Sequence, residues 1–161
     1  MDSEAEAKYH IKQVLPGEVD LVYELLSLFA DVFDENETYR HNQPDRDYLI
    51  RHLENDSFLV VVALFGSKVV GGLTVFELTK FEQERKELFI YDLAVHENHR
   101  RRGVATSMID KVKSLASERG SYMVFIQSEA EDEPSSMTYR QFSDPLKVFH
   151  FEFRPDSLRD V

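Results

Sequence analysis

A strand, a basic turn and an amphipathic helix are predicted in direct succession between residues 86 and 120. The segment KELFIYDLAV, residues 86–95, is rich in the aliphatic and aromatic residues that favour strands. The segment RGVATSMIDKVKSLASERG, residues 102–120, repeats apolar residues at the spacing of one helix face, and Gly120 is a stop signal for that helix. This order predicts a chain that mixes strands and helices.

The other elements are predicted from apolar spacing, turn residues and strand-forming composition. In chain order they are a helix over 18–33, an acidic polar loop over 34–44, a short helix over 44–55, a hairpin of strands over 57–66 and 68–81, a strand over 121–127, a helix over 131–142 and a last strand over 145–153. We therefore expect an α/β (mixed α+β) fold in a single domain, residues 1–161.

Charge and composition restrict the possible partners. The 161 residues carry a formal net charge of -11 and no cysteine, so thiolate and disulfide chemistry are excluded. The acidity argues against a nucleic-acid partner and is compatible with a cationic ligand, although it could serve solubility alone. No apolar run approaches the roughly 18 residues of a membrane span, and the acidic N-terminus does not resemble a signal peptide. We expect a soluble, cytoplasmic protein with no membrane partner.

The turn HRRRGVA, residues 99–105, concentrates positive charge at a helix start. The first helical turn has free backbone N–H groups, and the small residues Gly103 and Ala105 let a ligand approach them closely. Such a site suits a phosphate or pyrophosphate. The spacing matches neither the dinucleotide fingerprint nor the phosphate-binding loop of nucleotide hydrolases. The alternative is a solvated helix entry with no ligand.

The segment LAVHENHRRRGVATSMI, residues 93–109, resembles motif A of the GCN5-related N-acetyltransferases (GNAT). The family pattern [Q/R]-x-x-G-x-[G/A] is matched by Arg100, Gly103 and Ala105. The resemblance implies acetyl-coenzyme A as co-substrate and a central, mostly antiparallel twisted sheet, flanked by helices and splayed at the coenzyme site. The residues implied in coenzyme binding are Leu93, Ala94, Val95, Arg100, Arg101, Arg102, Gly103, Val104, Ala105 and Thr106.

A second family pattern, N-x-x-A-x-x-x-Y, resembles DEPSSMTY and aligns its tyrosine with Tyr139. Asp132, Ser135 and Ser143 depart from the residues common at their positions. The segments YRHNQPDRDYL, KFEQERKELFIYDLAV and HFEFRP are similar to those of aminoglycoside 3-N-acetyltransferases. That subgroup consists of small, commonly dimeric bacterial cytoplasmic enzymes that confer antibiotic resistance, so the resemblance implies a homodimer and this activity.

The implied reaction is direct attack of an amine on the thioester. In it, a backbone N–H near Leu93 or Ala94 polarises the carbonyl and Tyr139 protonates the leaving thiolate. For the base, Asp92 is the first candidate, because a charge in an apolar strand is costly unless it is solvated or paired. Glu82 and Glu84 are the alternatives. Any of these carboxylates could instead be a surface charge.

Binding of a polyamine such as an aminoglycoside requires several carboxylates and hydroxyls. The candidates are Asp31, Asp34, Glu35, Tyr39, Glu129, Asp132 and Glu152. No metal site is expected, since only His96 and His99 have ligand-like spacing. Two other readings stay open. One is an acetyltransferase for a polyamine, a small metabolite or a protein N-terminus, and the other is a coenzyme A-binding regulatory module without turnover.

Overall fold

A computed structural model describes residues 9–129 and 132–155 of the chain. The chain divides into two compact units between Gln127 and Ser128, and each is described by itself. Among the described residues, no helix is both long and apolar enough to span a membrane.

The described residues of the first unit form five strands and three α-helices, in the predicted order apart from the additional first strand. They are β1 (His10–Gln13), α1 (Val19–Phe33), α2 (Arg46–Leu53), β2 (Phe58–Phe65), β3 (Lys68–Thr79), β4 (Lys86–Val95), α3 (Val104–Arg119) and β5 (Ser121–Ile126). Strand β1 was not predicted, because its sequence HIKQ has a single aliphatic residue. The backbone hydrogen bonds of its antiparallel pairing with β2 make it a strand. The loop predicted over 34–44 contains a π-helical turn, Glu37–His41.

The five strands form one sheet in the order β1-β2-β3-β4-β5. The first three pairings are antiparallel, and β2 and β3 form the predicted hairpin. The last pairing, β4 with β5, is parallel, because α3 carries the chain from the end of β4 back to the start of β5. The mixed α+β prediction is confirmed.

The helices of the first unit cover opposite faces of the sheet. A Cβ added at Gly71 would meet Val104 and Met108 of α3, at 3.3 and 3.4 Å. A Cβ at the next residue, Gly72, would lie 2.3 Å from the Leu25 Cδ1 atom of α1. Because successive strand residues point to opposite faces, α3 and α1 pack on different sides. The Leu25 side chain of α1 therefore requires glycine at position 72, because the Cβ of any other residue would overlap it.

The described residues of the second unit form one helix, α4 (Glu133–Tyr139), and the Asp132 carboxylate accepts a hydrogen bond from the Ser135 amide at 3.3 Å. The prediction of a last strand over 145–153 is wrong, because the described residues after α4 form no strand. Phe149 and Phe153 are 91% and 88% exposed. The alternating pattern is present, but a strand also requires a neighbouring strand to take its backbone hydrogen bonds.

Candidate active site

A β-bulge in β4 presents the predicted base. Leu93 pairs with Leu73 and Ile90 pairs with Val75, so the two residues Tyr91 and Asp92 lie opposite the single residue Thr74. The Asp92 amide donates a hydrogen bond to the Thr74 hydroxyl oxygen at 3.3 Å. Bulges re-aim side chains, which is how a charged residue is accommodated in this apolar strand.

Tyr39 brings a hydroxyl onto Asp92. Its phenol donates a hydrogen bond to the Asp92 Oδ1 atom at 3.3 Å. The Tyr39 ring lies on the π-helical turn and packs against Phe29 and Phe33 of α1, with centroid distances of 5.6 and 5.7 Å. Asp34, at the left-handed φ of 54°, ends α1 and reverses the chain so that this contact can form.

Burial and neighbouring charges adjust the acidity of this pair. Burial raises the pKa of Asp92 and the Glu35 carboxylate raises it further, while hydrogen bonds from the Tyr39 and Thr74 hydroxyls oppose the rise. Burial and the charges of Asp92 and Glu35 raise the pKa of the Tyr39 phenol. A carboxylate with a raised pKa is a better proton acceptor near neutral pH than an ordinary aspartate.

Next to Asp92, one edge of β4 is open in the sense that no described strand pairs with it beyond Ile90. The pairing with β5 ends at Ile90 and Ile126, while β4 continues to Val95. The His96 amide donates to the Val70 carbonyl on the β3 side at 2.8 Å. Because backbone groups alternate along a strand, the N–H and C=O of Leu93 point to the open edge and those of Ala94 point to β3. An extended ligand could therefore pair with Leu93.

The turn before α3 exposes backbone amides. Arg101 and Gly103 have positive φ values of 58° and 75°, and nothing lies within 4 Å of a Cβ built on Gly103. The first helical hydrogen bond runs from Ser107 to the Gly103 carbonyl, at 2.9 Å. Within the described ranges, the amides of Val104, Ala105 and Thr106 have no protein acceptor. Such a turn fits an anion, and a pyrophosphate in particular.

The three arginines of this turn differ in what they contact. The Arg100 Nε atom donates to the Val95 carbonyl at 3.1 Å, so this side chain closes the turn onto β4. Arg101 and Arg102 are exposed.

The predicted substrate residues occupy different surroundings, and only some are near Asp92. Glu35 and Tyr39 interact with Asp92. The Asp31 carboxylate forms an ion pair with Arg40 at 2.8 Å.

In the second unit, three further candidates interact with their own neighbours. Asp132 caps α4, and the Glu129 carbonyl accepts a hydrogen bond from the Asp132 amide at 3.1 Å. The Glu152 carboxylate lies 3.2 Å from the His150 Nε2 atom.

The alternative bases Glu82 and Glu84 lie in the connection between β3 and β4. The Glu82 carboxylate accepts a hydrogen bond from Arg85 at 3.1 Å, and its pKa is lowered by a backbone hydrogen bond and by Arg85. Lys86, where β4 begins, is roughly 20 Å along the strand from Asp92, at about 3.3 Å per residue. The fold of the first unit therefore does not bring these glutamates to Asp92.

Tyr139 lies at the end of α4. Burial raises the pKa of its phenol, a hydrogen bond with Ser135 opposes the rise, and the Asp132 charge adds to it. The hydroxyl therefore carries its proton throughout the neutral range, as an acid requires.

Thr74 was not predicted as a site residue. Its signal in the sequence is one hydroxyl in the apolar segment GGLTVFEL, but only the bulge shows that it faces Asp92. No group of histidines, aspartates and glutamates suitable for a metal ion occurs in the described part of the chain.

Comparisons with known proteins agree with this architecture. An aminoglycoside acetyltransferase from an uncultured soil metagenomic sample is 43% identical, with a TM-score of 0.90 over 92% of this chain and 99% of that chain. A second one, from such a sample and in complex with sisomicin, is 29% identical, with a TM-score of 0.85 over 92% of this chain and 97% of that chain. No curated protein sequence matches the chain.

The fold also occurs in a coenzyme complex. Aminoglycoside N-acetyltransferase AAC(6')-Iy, solved with CoA, has a TM-score of 0.74 at 14% identity, over 96% of this chain and 100% of that chain. GNAT acetyltransferases use acetyl-coenzyme A, and the open edge of β4 and the free amides of α3 fit its extended arm and its pyrophosphate. The model of the Acetyltransferase (GNAT) family matches residues 21–143, and the chain therefore belongs to the GNAT acetyltransferases.

Proposed function

We propose that this protein is an acetyl-coenzyme A-dependent aminoglycoside 3-N-acetyltransferase. The observation that carries the proposal is the partly buried Asp92 carboxylate, held by Tyr39 on a bulge beside an open strand edge. The similarity to two aminoglycoside acetyltransferases supports the substrate class. The 3-N position comes from the resemblance of the segments around residues 39–49, 80–95 and 150–155.

Acetyl-coenzyme A supplies an acyl group on a thioester, and the substrate amine attacks its carbonyl carbon directly. In this proposal the Leu93 amide, which points to the open edge, donates a hydrogen bond to the carbonyl oxygen. Asp92 takes the proton that the amine loses, and its raised pKa suits this task. Tyr139 gives its proton to the departing thiolate as the carbon–sulfur bond breaks.

Coenzyme binding uses two backbone segments. Leu93, Ala94 and Val95 form the edge along which the coenzyme arm lies, and the amides from Arg100 to Thr106 hold the pyrophosphate. The charge of Arg101 and Arg102 favours the same anion, while Arg100 keeps the turn closed on Val95.

The substrate cation binds beside Asp92. Glu35 supplies a charge and Tyr39 a hydroxyl that interact with Asp92, and Asp31 and Asp34 lie close to them in the sequence. Glu129, Asp132 and Glu152 are further candidates from the second unit, although Asp132 also caps α4. An ammonium-rich substrate matches this surplus of carboxylates.

We extend the proposal to the whole chain. The family match spans 21–143 and so includes residues of both compact units, which supports one acetyltransferase domain. We further propose a homodimer that works in the bacterial cytoplasm and confers antibiotic resistance, as the aminoglycoside subgroup implies. A nucleic-acid partner is not part of this proposal, given the net charge of -11.

Coenzyme A release with a panel of amines tests the proposal. We expect sisomicin and gentamicin to accelerate release far more than spermidine or a peptide with a free N-terminus, and NMR of the product to place the acetyl group on N-3. If spermidine accelerated release more than the aminoglycosides do, the substrate would be a polyamine and the aminoglycoside proposal would be wrong. If the protein binds coenzyme A but no amine accelerates its release from acetyl-coenzyme A, the alternative of a regulatory module without turnover would hold.

A tyrosine variant tests the acid. Tyr139→Phe should lower kcat at least about tenfold with little effect on coenzyme binding, because only the departing thiolate needs the hydroxyl proton. An unchanged kcat would remove Tyr139 from the mechanism.

A further inference from the structure

A second cluster of side chains, away from Asp92, holds the turn that precedes α3. The Tyr9 hydroxyl is hydrogen-bonded to the His99 Nδ1 atom at 2.9 Å. Phe65, at the end of β2, completes the cluster. Its ring centroid lies 5.5 Å from that of Tyr9 and 5.2 Å from that of His99, and the Tyr9 and His99 rings are 5.7 Å apart. Each of the three rings therefore contacts the other two.

The hydrogen bond selects one form of the histidine. A tyrosine hydroxyl that donates to Nδ1 leaves the ring proton on Nε2. Burial lowers the pKa of His99, and the neighbouring His96 and Arg102 lower it further, which favours the neutral ring that can accept this bond.

His99 is directly attached to the turn. It ends the short helix Glu97–His99, and its amide donates to the His96 carbonyl at 2.9 Å. The next residue, Arg100, is fixed to the Val95 carbonyl. The turn is therefore attached to the β1 and β2 side through His99 and to β4 through Arg100. Arg101, which follows, has a left-handed φ of 58°, a backbone conformation that a residue other than glycine keeps only when its surroundings hold it.

We propose that Tyr9 and His99 are positioning residues that pre-organise the backbone amides of this turn for the coenzyme phosphates. The inference rests on the proposed acetyltransferase function and concerns the same coenzyme site. Neither side chain needs to touch a reacting atom. Loss of their hydrogen bond loosens the turn, so that coenzyme binding must pay the ordering cost, while proton transfer from the amine is unaffected.

Steady-state kinetics and calorimetry of Tyr9→Phe, His99→Phe and the double variant test this role. We expect the KM for acetyl-coenzyme A and the Kd for coenzyme A to rise about two- to tenfold, the range of one hydrogen bond. The kcat and the KM for the aminoglycoside should stay within about twofold. The double variant should bind coenzyme A as tightly as His99→Phe alone, because both changes remove the same hydrogen bond.

Two further variants separate positioning from general damage. His99→Gln supplies a side-chain oxygen that can accept from Tyr9, and it should recover part of the lost affinity. Tyr122→Phe removes a different tyrosine hydroxyl, one that is hydrogen-bonded to Glu87 on β4, and should leave the Kd for coenzyme A unchanged.

Hydrogen exchange of the hydrogen-bonded amides of His99, Arg100 and Ser107, which bracket the turn, gives a readout without any ligand. These amides should exchange faster in Tyr9→Phe than in the wild type at equal global stability. If the wild type binds coenzyme A, and Tyr9→Phe shows the same exchange rates and the same Kd as the wild type, the positioning role is overturned. A wild-type protein that binds no coenzyme A would instead refute the proposed function, and this inference with it.

Discussion

At the scale of single residues, Asp92 gains its properties from where the bulge puts it. The sequence marks Asp92 as unusual, because a carboxylate in an apolar strand requires a partner. The structure supplies Tyr39 and Thr74 as partners, and both belong to segments distant in the sequence. The candidate base could thus be predicted from local sequence, whereas its hydrogen-bond partners depend on strand register and on the chain reversal after α1.

Tyr39→Phe should move the acid limb of the kcat/KM profile to higher pH. The Tyr39 hydroxyl bond favours the charged form of Asp92, so its removal raises the pKa of that carboxyl further. The loss of activity should be severalfold larger at the acid end than at the alkaline end, where only the contribution of the Tyr39 hydroxyl to substrate binding is lost. The pH–rate profile measures this change. Tyr23→Phe is the control, since that hydroxyl donates to the Pro44 carbonyl and not to a carboxylate; an equal displacement in both variants would contradict the assignment.

At the scale of elements, local signals located most of the first unit. The spacing of apolar residues and the glycines were enough for α1, α3, the hairpin and β4. The two failures have one cause. Strand β1 was missed and the strand over 145–153 was wrongly predicted. Whether either segment forms a strand depends on a neighbouring strand to pair with, which the composition of the segment does not indicate.

Gly103→Ala tests the turn before α3, with Gly66→Ala as its match. Both glycines have positive φ, 75° and 62°, and both have open space at Cβ, so each variant should lose about 1 kcal/mol of unfolding free energy through backbone strain. Only Gly103→Ala should also weaken coenzyme A binding, by about tenfold, because it alters the amides at the phosphate site. Titration calorimetry measures both affinities for coenzyme A, and equal affinities would exclude the turn before α3 as the phosphate site.

Gly72→Ala tests the contact of α1 with the sheet. The added Cβ would meet the buried Leu25 side chain at 2.3 Å, so overpacking should cost about 1–3 kcal/mol of unfolding free energy. Gly17→Ala, with nothing within 4 Å of the added atom, is the control and should change stability little. Urea denaturation of both variants measures the difference. Equal stabilities would show that α1 does not require a glycine here.

At the scale of the whole molecule, charge is separated within an acidic chain. The positive turn at 100–102 contrasts with the carboxylates of Glu35 and Asp92. Part of the acidic surplus is already matched by cations, as in the Asp31–Arg40 and Glu82–Arg85 pairs. The net charge agrees in sign with the cationic substrate that we propose, but the paired carboxylates could not be distinguished from the other carboxylates without the fold.

Folding stability should decrease as the pH falls below about 6.5. Burial lowers the pKa of His52 and of His99 in the folded protein, so the unfolded chain binds more protons in this range. Unfolding free energies from urea titrations at pH 7.5 and 5.5 measure the effect. His52→Asn should have a smaller slope than the wild type, and an unchanged slope would contradict the assignment to His52.

The central claim is that Asp92 accepts the amine proton in acetyl transfer to an aminoglycoside. The most direct test is the pH dependence of kcat/KM for sisomicin with wild type, Asp92→Asn and the exposed control Asp110→Asn. We predict at least a hundredfold loss in Asp92→Asn at neutral pH, with disappearance of the acid limb, and a wild-type profile for Asp110→Asn. An Asp92→Asn enzyme that keeps both its rate and its acid limb would contradict the claim.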